Sequence, residues 1–76
     1  MQLTVRLFAS LREEFGFQEK SLEIDKSVRT GELWSELFDV EPPANLLCAV
    51  NHAYADLDTP LNDGDEVGFF PPVNGG

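Results

Sequence analysis

Large apolar residues recur at the spacing of a long amphipathic helix in one stretch of the chain, where Leu33, Trp34, Leu37 and Phe38 fall at i, i+1, i+4 and i+5. Four bulky side chains on one stripe must be covered, and the sequence offers no second long helix of that kind to cover them. The other apolar segments have the wrong period for helices. Leu3, Val5 and Leu7 alternate with Thr4, Arg6 and Phe8 near one end, and Val67 and Phe69 alternate with Gly68 and Phe70 near the other. A period of two reads as a strand with one buried face. A sheet wrapped on one main helix is the economical way to bury the stripe and the strand faces together.

The remaining segments fit that plan. Ser10-Leu11-Arg12-Glu13 has the spacing of a capping box and Gly16 follows as a stop, which predicts a short first helix. Leu22 and Ile24, separated by Glu23, read as a second strand returning beside the first. Ser27 or Thr30 can cap the main helix, Glu32 suits its positive end, and Glu41-Pro42-Pro43 ends it. Leu46 to Val50 form a short continuous apolar run, as in a central strand. Asn51-His52 turn the chain toward a short strand around Tyr54, and Asn62-Asp63-Gly64-Asp65 turn it into the last strand, Glu66 to Phe70. The expectation is an α+β domain over residues 1–70 with a mixed four- or five-stranded sheet, one main helix and one short helix. Residues 71–76 are expected to form an extended tail.

Composition narrows the functions such a domain can have. A chain of 76 residues buries only about 60% of the surface its unfolded form exposes, which leaves little room for a deep catalytic pocket. One cysteine permits no internal disulfide, no apolar run approaches the roughly 20 residues that span a bilayer, and no charged-then-apolar leader opens the sequence. A cytoplasmic location is the expectation. The net charge is −9 and lies entirely in one part of the chain. Residues 1–29 hold five acids and five bases, whereas residues 30–76 hold nine acids and no base. Such a surface repels nucleic acid and anionic membrane and is steered toward basic protein surfaces.

Candidates for chemistry are few. Cys48 sits inside an apolar strand as a small core residue, and His52 sits at a turn, in water. Asp56, Asp58, Asp63, Asp65 and Glu66 do not provide the order of a calcium loop, because Pro60 and Leu61 fall where a ligand and a glycine are needed. No glycine-rich phosphate loop is present. No metal or cofactor site and no active site of the domain's own is therefore expected. Two phenylalanines do break the pattern. With Leu3, Val5 and Leu7 facing the helix, Phe8 falls on the opposite face; Phe70 falls there too. Pairing of the first and last strands would bring them together, and a contiguous apolar patch rimmed by acids is a docking surface.

Phe70 leads into Pro71-Pro72-Val73-Asn74-Gly75-Gly76. Two prolines favour an extended path of about 3.1 Å per residue. Two residues without side chains can thread a channel too narrow for any other residue. A carboxylate on Gly76 is inert until it attacks the α-phosphate of ATP to form an acyl-adenylate, from which a sulfur nucleophile can displace AMP and leave a thiocarboxylate.

The runs Ala49-Val50-Asn51, Pro60 to Val67 and Phe69 to Gly76, with the opening Val5-Arg6-Leu7-Phe8-Ala9 and Leu11-Arg12-Glu13, closely resemble the MoaD family of ubiquitin-like sulfur carriers, the small subunits of molybdopterin synthase. The resemblance covers essentially the whole chain, and its C-terminal third is the specific part. It implies a β-grasp fold. It also implies that a ubiquitin-activating-like adenylyltransferase uses ATP to adenylate Gly76, that the thiocarboxylate then donates sulfur to cyclic pyranopterin monophosphate inside the large synthase subunit, and that two carriers serve one large-subunit dimer as a heterotetramer. Carried over position by position, Phe8, Tyr54 and Phe70 fall at hydrophobic contact sites. Thiamine-pathway sulfur carriers and protein modifiers joined through a terminal glycine share the fold and the diglycine, and stand as alternatives. The departures are the short Glu41-Pro42-Pro43 connection and Gly31 near the start of the main helix, where glycine weakens a helix by up to about 1 kcal/mol.

Overall fold

The alternating segments at the two ends of the chain lie side by side. In the structure, a computed structural model that describes residues 1–71, β1 (Gln2–Leu7) pairs in parallel with β5 (Glu66–Phe70), setting Val5 opposite Val67 and Leu7 opposite Phe69. Between them come α1 (Ser10–Phe15), β2 (Glu19–Glu23), α2 (Thr30–Phe38), β3 (Leu47–Val50) and β4 (Ala53–Ala55). The sheet order is β2-β1-β5-β3-β4, antiparallel except at the β1–β5 pair. This is the β-grasp arrangement, with five strands, one main helix and one short one.

One face of the sheet makes the core. Leu3, Val5, Leu7, Cys48, Val67 and Phe69 are buried with Leu33 and Trp34 of α2 and Leu11 of α1. Trp34 meets Phe69 and Phe15 edge to face, with ring centroids 5.2 and 5.4 Å apart, and Phe38 stacks on Phe15. Aromatic pairs at such distances add about 0.5–1.5 kcal/mol each beyond the area they bury. Val28, Leu46 and Leu61, which lie outside the strands and helices, complete this core.

Several local expectations need correction. Ser10 does not cap α1; it is the first helical residue, and Ala9 occupies the cap position at φ 52° with no side-chain bond. Gly16 does end α1, at φ 81°, its N–H donating to the Arg12 carbonyl. Neither Ser27 nor Thr30 caps α2. Arg29 stands at the cap, with its backbone N–H donating to Glu32 Oε1 at 2.7 Å, so the glutamate supplies the bond. Thr30 is instead fully buried and donates its hydroxyl to the Asp56 carbonyl. α2 stops at Asp39, in the left-handed region at φ 56°, before the two prolines are reached. β2 lies earlier than Leu22 and Ile24 suggest, because Glu19 already pairs with Arg6. The middle strand is β5, not β3, and the apolar run of β3 splits: Cys48 points into the core while Leu47 and Ala49 lie on the opposite face.

Gly31 has a packing reason. A Cβ there would stand 2.9 Å from the Leu57 carbonyl oxygen, which already accepts the Gly31 N–H at 2.8 Å. The glycine lets α2 begin against the segment that follows β4.

Candidate functional site

Opposite the helix, the sheet carries a row of small and aromatic residues where charged ones would be ordinary. In register across β5, β3 and β4 lie Gly68, Ala49 and Tyr54, and in the next row Phe70 stands opposite Leu47. Phe8, just past the end of β1, folds its ring over Gly68. A Cβ on Gly68 would approach Phe8 Cε2 to 2.9 Å, so the absent side chain is what admits the ring. Phe8 then stacks on Phe70 with centroids 4.5 Å apart and planes 9° from parallel, and Tyr54 tilts against Phe70 at 6.0 Å. The three residues singled out in the sequence for partner contact therefore form one contiguous surface. Tyr54 is 80% exposed and Leu47 37%, so the surface is apolar and wet.

Polar groups fix its rim. Asn51 and His52 make the β3–β4 turn with φ values of 50° and 71°, a left-handed pair that suits a two-residue hairpin. Asn51 then ties that turn to β5: its Oδ1 accepts the Glu66 N–H, its Nδ2 donates to Asp65 Oδ1, and its own N–H donates to the Glu66 carbonyl. This clamp sets where Tyr54 stands relative to Phe70. Glu66 lies 3.7 Å from the Arg6 guanidinium and 3.4 Å from His52 Nε2, and Arg6 also reaches Glu19 at 3.3 Å. Phe8, Ala49, His52, Tyr54, Glu66 and Phe70 line a shallow depression over Gly68.

The other candidates keep structural roles. Cys48 is buried, its thiol donates to the Ala55 carbonyl at 3.1 Å, and burial pushes its pKa up, away from the thiolate that a nucleophile needs. Asp56 Oδ1 accepts the Asp58 N–H and the Thr59 hydroxyl, Asp63 accepts the Gln2 N–H, and Asp65 Oδ2 accepts the Asn62 N–H. Asp56 and Asp65 thereby close local turns, and Asp63 ties its turn to β1. Among the described residues no group of three or more His, Cys, Asp or Glu is placed to hold a metal ion, and no helix is long and apolar enough to cross a membrane.

β5 delivers the chain to half-buried Pro71 beside Phe70. The tail residues Pro72, Val73, Asn74, Gly75 and Gly76 lie outside the described residues. Sequence reasoning missed Gly68, Ala49 and Leu47 as parts of the surface. A glycine inside a strand is the signal that points to the first, since it marks close approach of another group.

The ThiS family model matches residues 5–76. The chain is 35% identical over 83 residues to the molybdopterin synthase sulfur carrier subunit of Haemophilus influenzae, covering 97% of this chain and 99% of that one. Among solved structures, small archaeal modifier protein 1 (SAMP1) of Methanosarcina acetivorans matches with a TM-score of 0.76 at 26% identity, covering 99% of this chain and 96% of that one. The complex of subunits 1 and 2 of the molybdopterin-converting factor of Helicobacter pylori contains a chain that matches with a TM-score of 0.66 at 30% identity, covering 100% of both chains. In fold, in length of match and in kinship, the chain belongs to the ThiS family, among the ubiquitin-like sulfur carriers of the ThiS/MoaD superfamily.

Proposed function

We propose that this chain is the sulfur carrier subunit of molybdopterin synthase. The observation that carries the reading is the joining of Phe8, Tyr54 and Phe70 into one exposed apolar surface beside the residue that leads into the tail. In this reading residues 1–70 are a docking body and residues 71–76 a delivery arm. The Gly76 carboxylate attacks the α-phosphate of ATP in an activating enzyme and pyrophosphate leaves. A sulfur nucleophile then takes the carbonyl carbon and AMP leaves. The thiocarboxylate, an anion at neutral pH, donates its sulfur to cyclic pyranopterin monophosphate in the large subunit. The domain supplies no catalytic side chain; it supplies position, which for a tethered reactant replaces a bimolecular encounter. A large-subunit partner is supported by the Helicobacter pylori complex of subunits 1 and 2; in this reading two carriers serve one large-subunit dimer as a heterotetramer.

The test is the intact mass of the chain after coexpression with its activating enzyme and a sulfur source. The expected result is exchange of one oxygen for sulfur at Gly76, absent in a variant lacking Gly75 and Gly76. A chain that never gains sulfur overturns the reading. The likeness to small archaeal modifier protein 1 favours a second use, attachment through Gly76 to lysines of other proteins, which isopeptide-linked remnants in cell extracts would reveal. The thiamine-pathway reading is separated by complementation: the chain should restore a molybdenum-cofactor auxotroph and not a thiamine auxotroph.

A further inference from the structure

We propose that the free edge of β2, with the groove between β2 and α2, is a second docking site that accepts an extended, lysine- or arginine-bearing segment of a partner protein as an added strand. This goes beyond the function proposed above. β2 lies at the opposite edge of the sheet from Tyr54-bearing β4, so both sites can be occupied at once.

The phase of the strand is fixed by its ladder with β1. Leu7 N–H donates to the Gln18 carbonyl and Ile24 N–H to the Met1 carbonyl, and between them Lys20 stands opposite Val5 and Leu22 opposite Leu3. The main chain of Gln18, Lys20, Leu22 and Ile24 therefore faces β1. By alternation the N–H and C=O groups of Glu19, Ser21 and Glu23 face outward, a row of donors and acceptors with room for another strand.

Side chains define what fits. Half-buried Leu22 and Ile24 point to the helix side, where with Leu37 of α2 they line a groove edged by Glu36, which pairs with Lys26. On the other side of the same edge stand the exposed carboxylates Glu23 and Glu19, the latter with one oxygen 3.3 Å from Arg6, while Lys20 is turned to the helix side over the Phe17 ring. A second copy of β2 added antiparallel about Ser21 would set Glu19 against Glu23 twice, and like charges directly opposite are destabilising. A segment that alternates basic and apolar residues meets neither obstacle: its cations face Glu19 and Glu23 while its apolar side chains reach Leu22, Ile24 and Leu37.

The test titrates the isotope-labelled full chain with a short acetylated and amidated peptide alternating lysine with valine, followed by amide NMR. Shifts should centre on residues 19–24 and Leu37, with slowed hydrogen exchange at Ser21. The same peptide N-methylated at alternate residues should bind about tenfold more weakly, as loss of one or two hydrogen bonds requires. So should Ser21→Pro, whose missing N–H faces the free edge and leaves the ladder to β1 intact. If Ser21→Pro fails to fold, the N-methylated peptide against the unaltered chain carries the test. Shifts centred on the acidic residues 56–66, or equal binding of the N-methylated peptide, would show attraction of charge alone and overturn the proposal. A chain dimer in sedimentation that Ser21→Pro dissolves would assign the edge to a second copy and overturn it as well.

Discussion

Truncating Phe70 to alanine separates docking from folding. In the free domain Phe70 is half-buried and stacks on Phe8 at 4.5 Å. Losing that pair costs about 0.5–1.5 kcal/mol beyond area, so the variant stays folded with a melting temperature lower by about 4–8 °C per kcal/mol. Against the large subunit of molybdopterin synthase the loss is greater, because an aromatic anchor that becomes fully buried contributes about 1–3 kcal/mol to affinity, or roughly 5- to 150-fold in Kd. Calorimetric titration of the purified large subunit measures this directly, with circular dichroism confirming the fold. The stack also predicts non-additivity. Phe8→Ala removes the same face-to-face contact, so the double variant should lose less affinity than the two single losses combined. Unchanged affinity of Phe70→Ala would refute the assignment of this surface to docking, and strict additivity would refute the stack as its organising contact.

Gly31→Ala should destabilise the domain by about 1–2 kcal/mol in urea unfolding, although alanine is the better helix former by about 1 kcal/mol, because the new Cβ would meet the Leu57 carbonyl at 2.9 Å and neither backbone can yield cheaply; a gain in stability would refute that packing account. Cys48 should resist thiol reagents in the folded chain. Its native pKa lies above the unfolded value, chiefly through burial, so the stability it contributes is complete below the ordinary thiol range and is lost as pH climbs through the raised native value. Cys48→Ala should flatten that part of the stability profile, measured as urea midpoints at neutral and alkaline pH; parallel profiles for the two chains would contradict it.

What the sequence made legible was whatever depends on period. The alternation at Leu3, Val5 and Leu7 and at Val67 and Phe69 gave the buried faces of β1 and β5, and the stripe at Leu33, Trp34, Leu37 and Phe38 gave α2 and its side toward the sheet. Alternation also placed Phe8 and Phe70 on the outer face, since one step along a strand reverses a side chain. Helix caps were misread because capping residues were sought by type. Arg29 and Ala9 occupy those positions, and the bond at α2 comes from Glu32, a residue already valued there for its charge. Contacts between distant segments were not legible at all. Nothing near Thr30 announces that its hydroxyl meets the carbonyl of Asp56, and nothing near Val28 or Leu61 announces that both are core.

The two glycines that matter most were illegible for a related reason. Gly31 and Gly68 are not turn residues at positive φ; each is a place where another part of the chain occupies the volume of a side chain. At Gly31 the intruder is backbone, so the consequence is stability. At Gly68 it is the ring of Phe8, so the consequence is the shape of an exposed surface. That difference bears on how so small a domain can carry a function. Val67 and Phe69 are wholly buried on one side of β5, while Gly68 and Phe70 build the surface on the other. One strand thus serves the core and the proposed docking face through alternate residues. Because the core draws only on the inner set, the outer set is free to be shaped by a partner, and the same strand that anchors the fold fixes the point from which Pro71 departs.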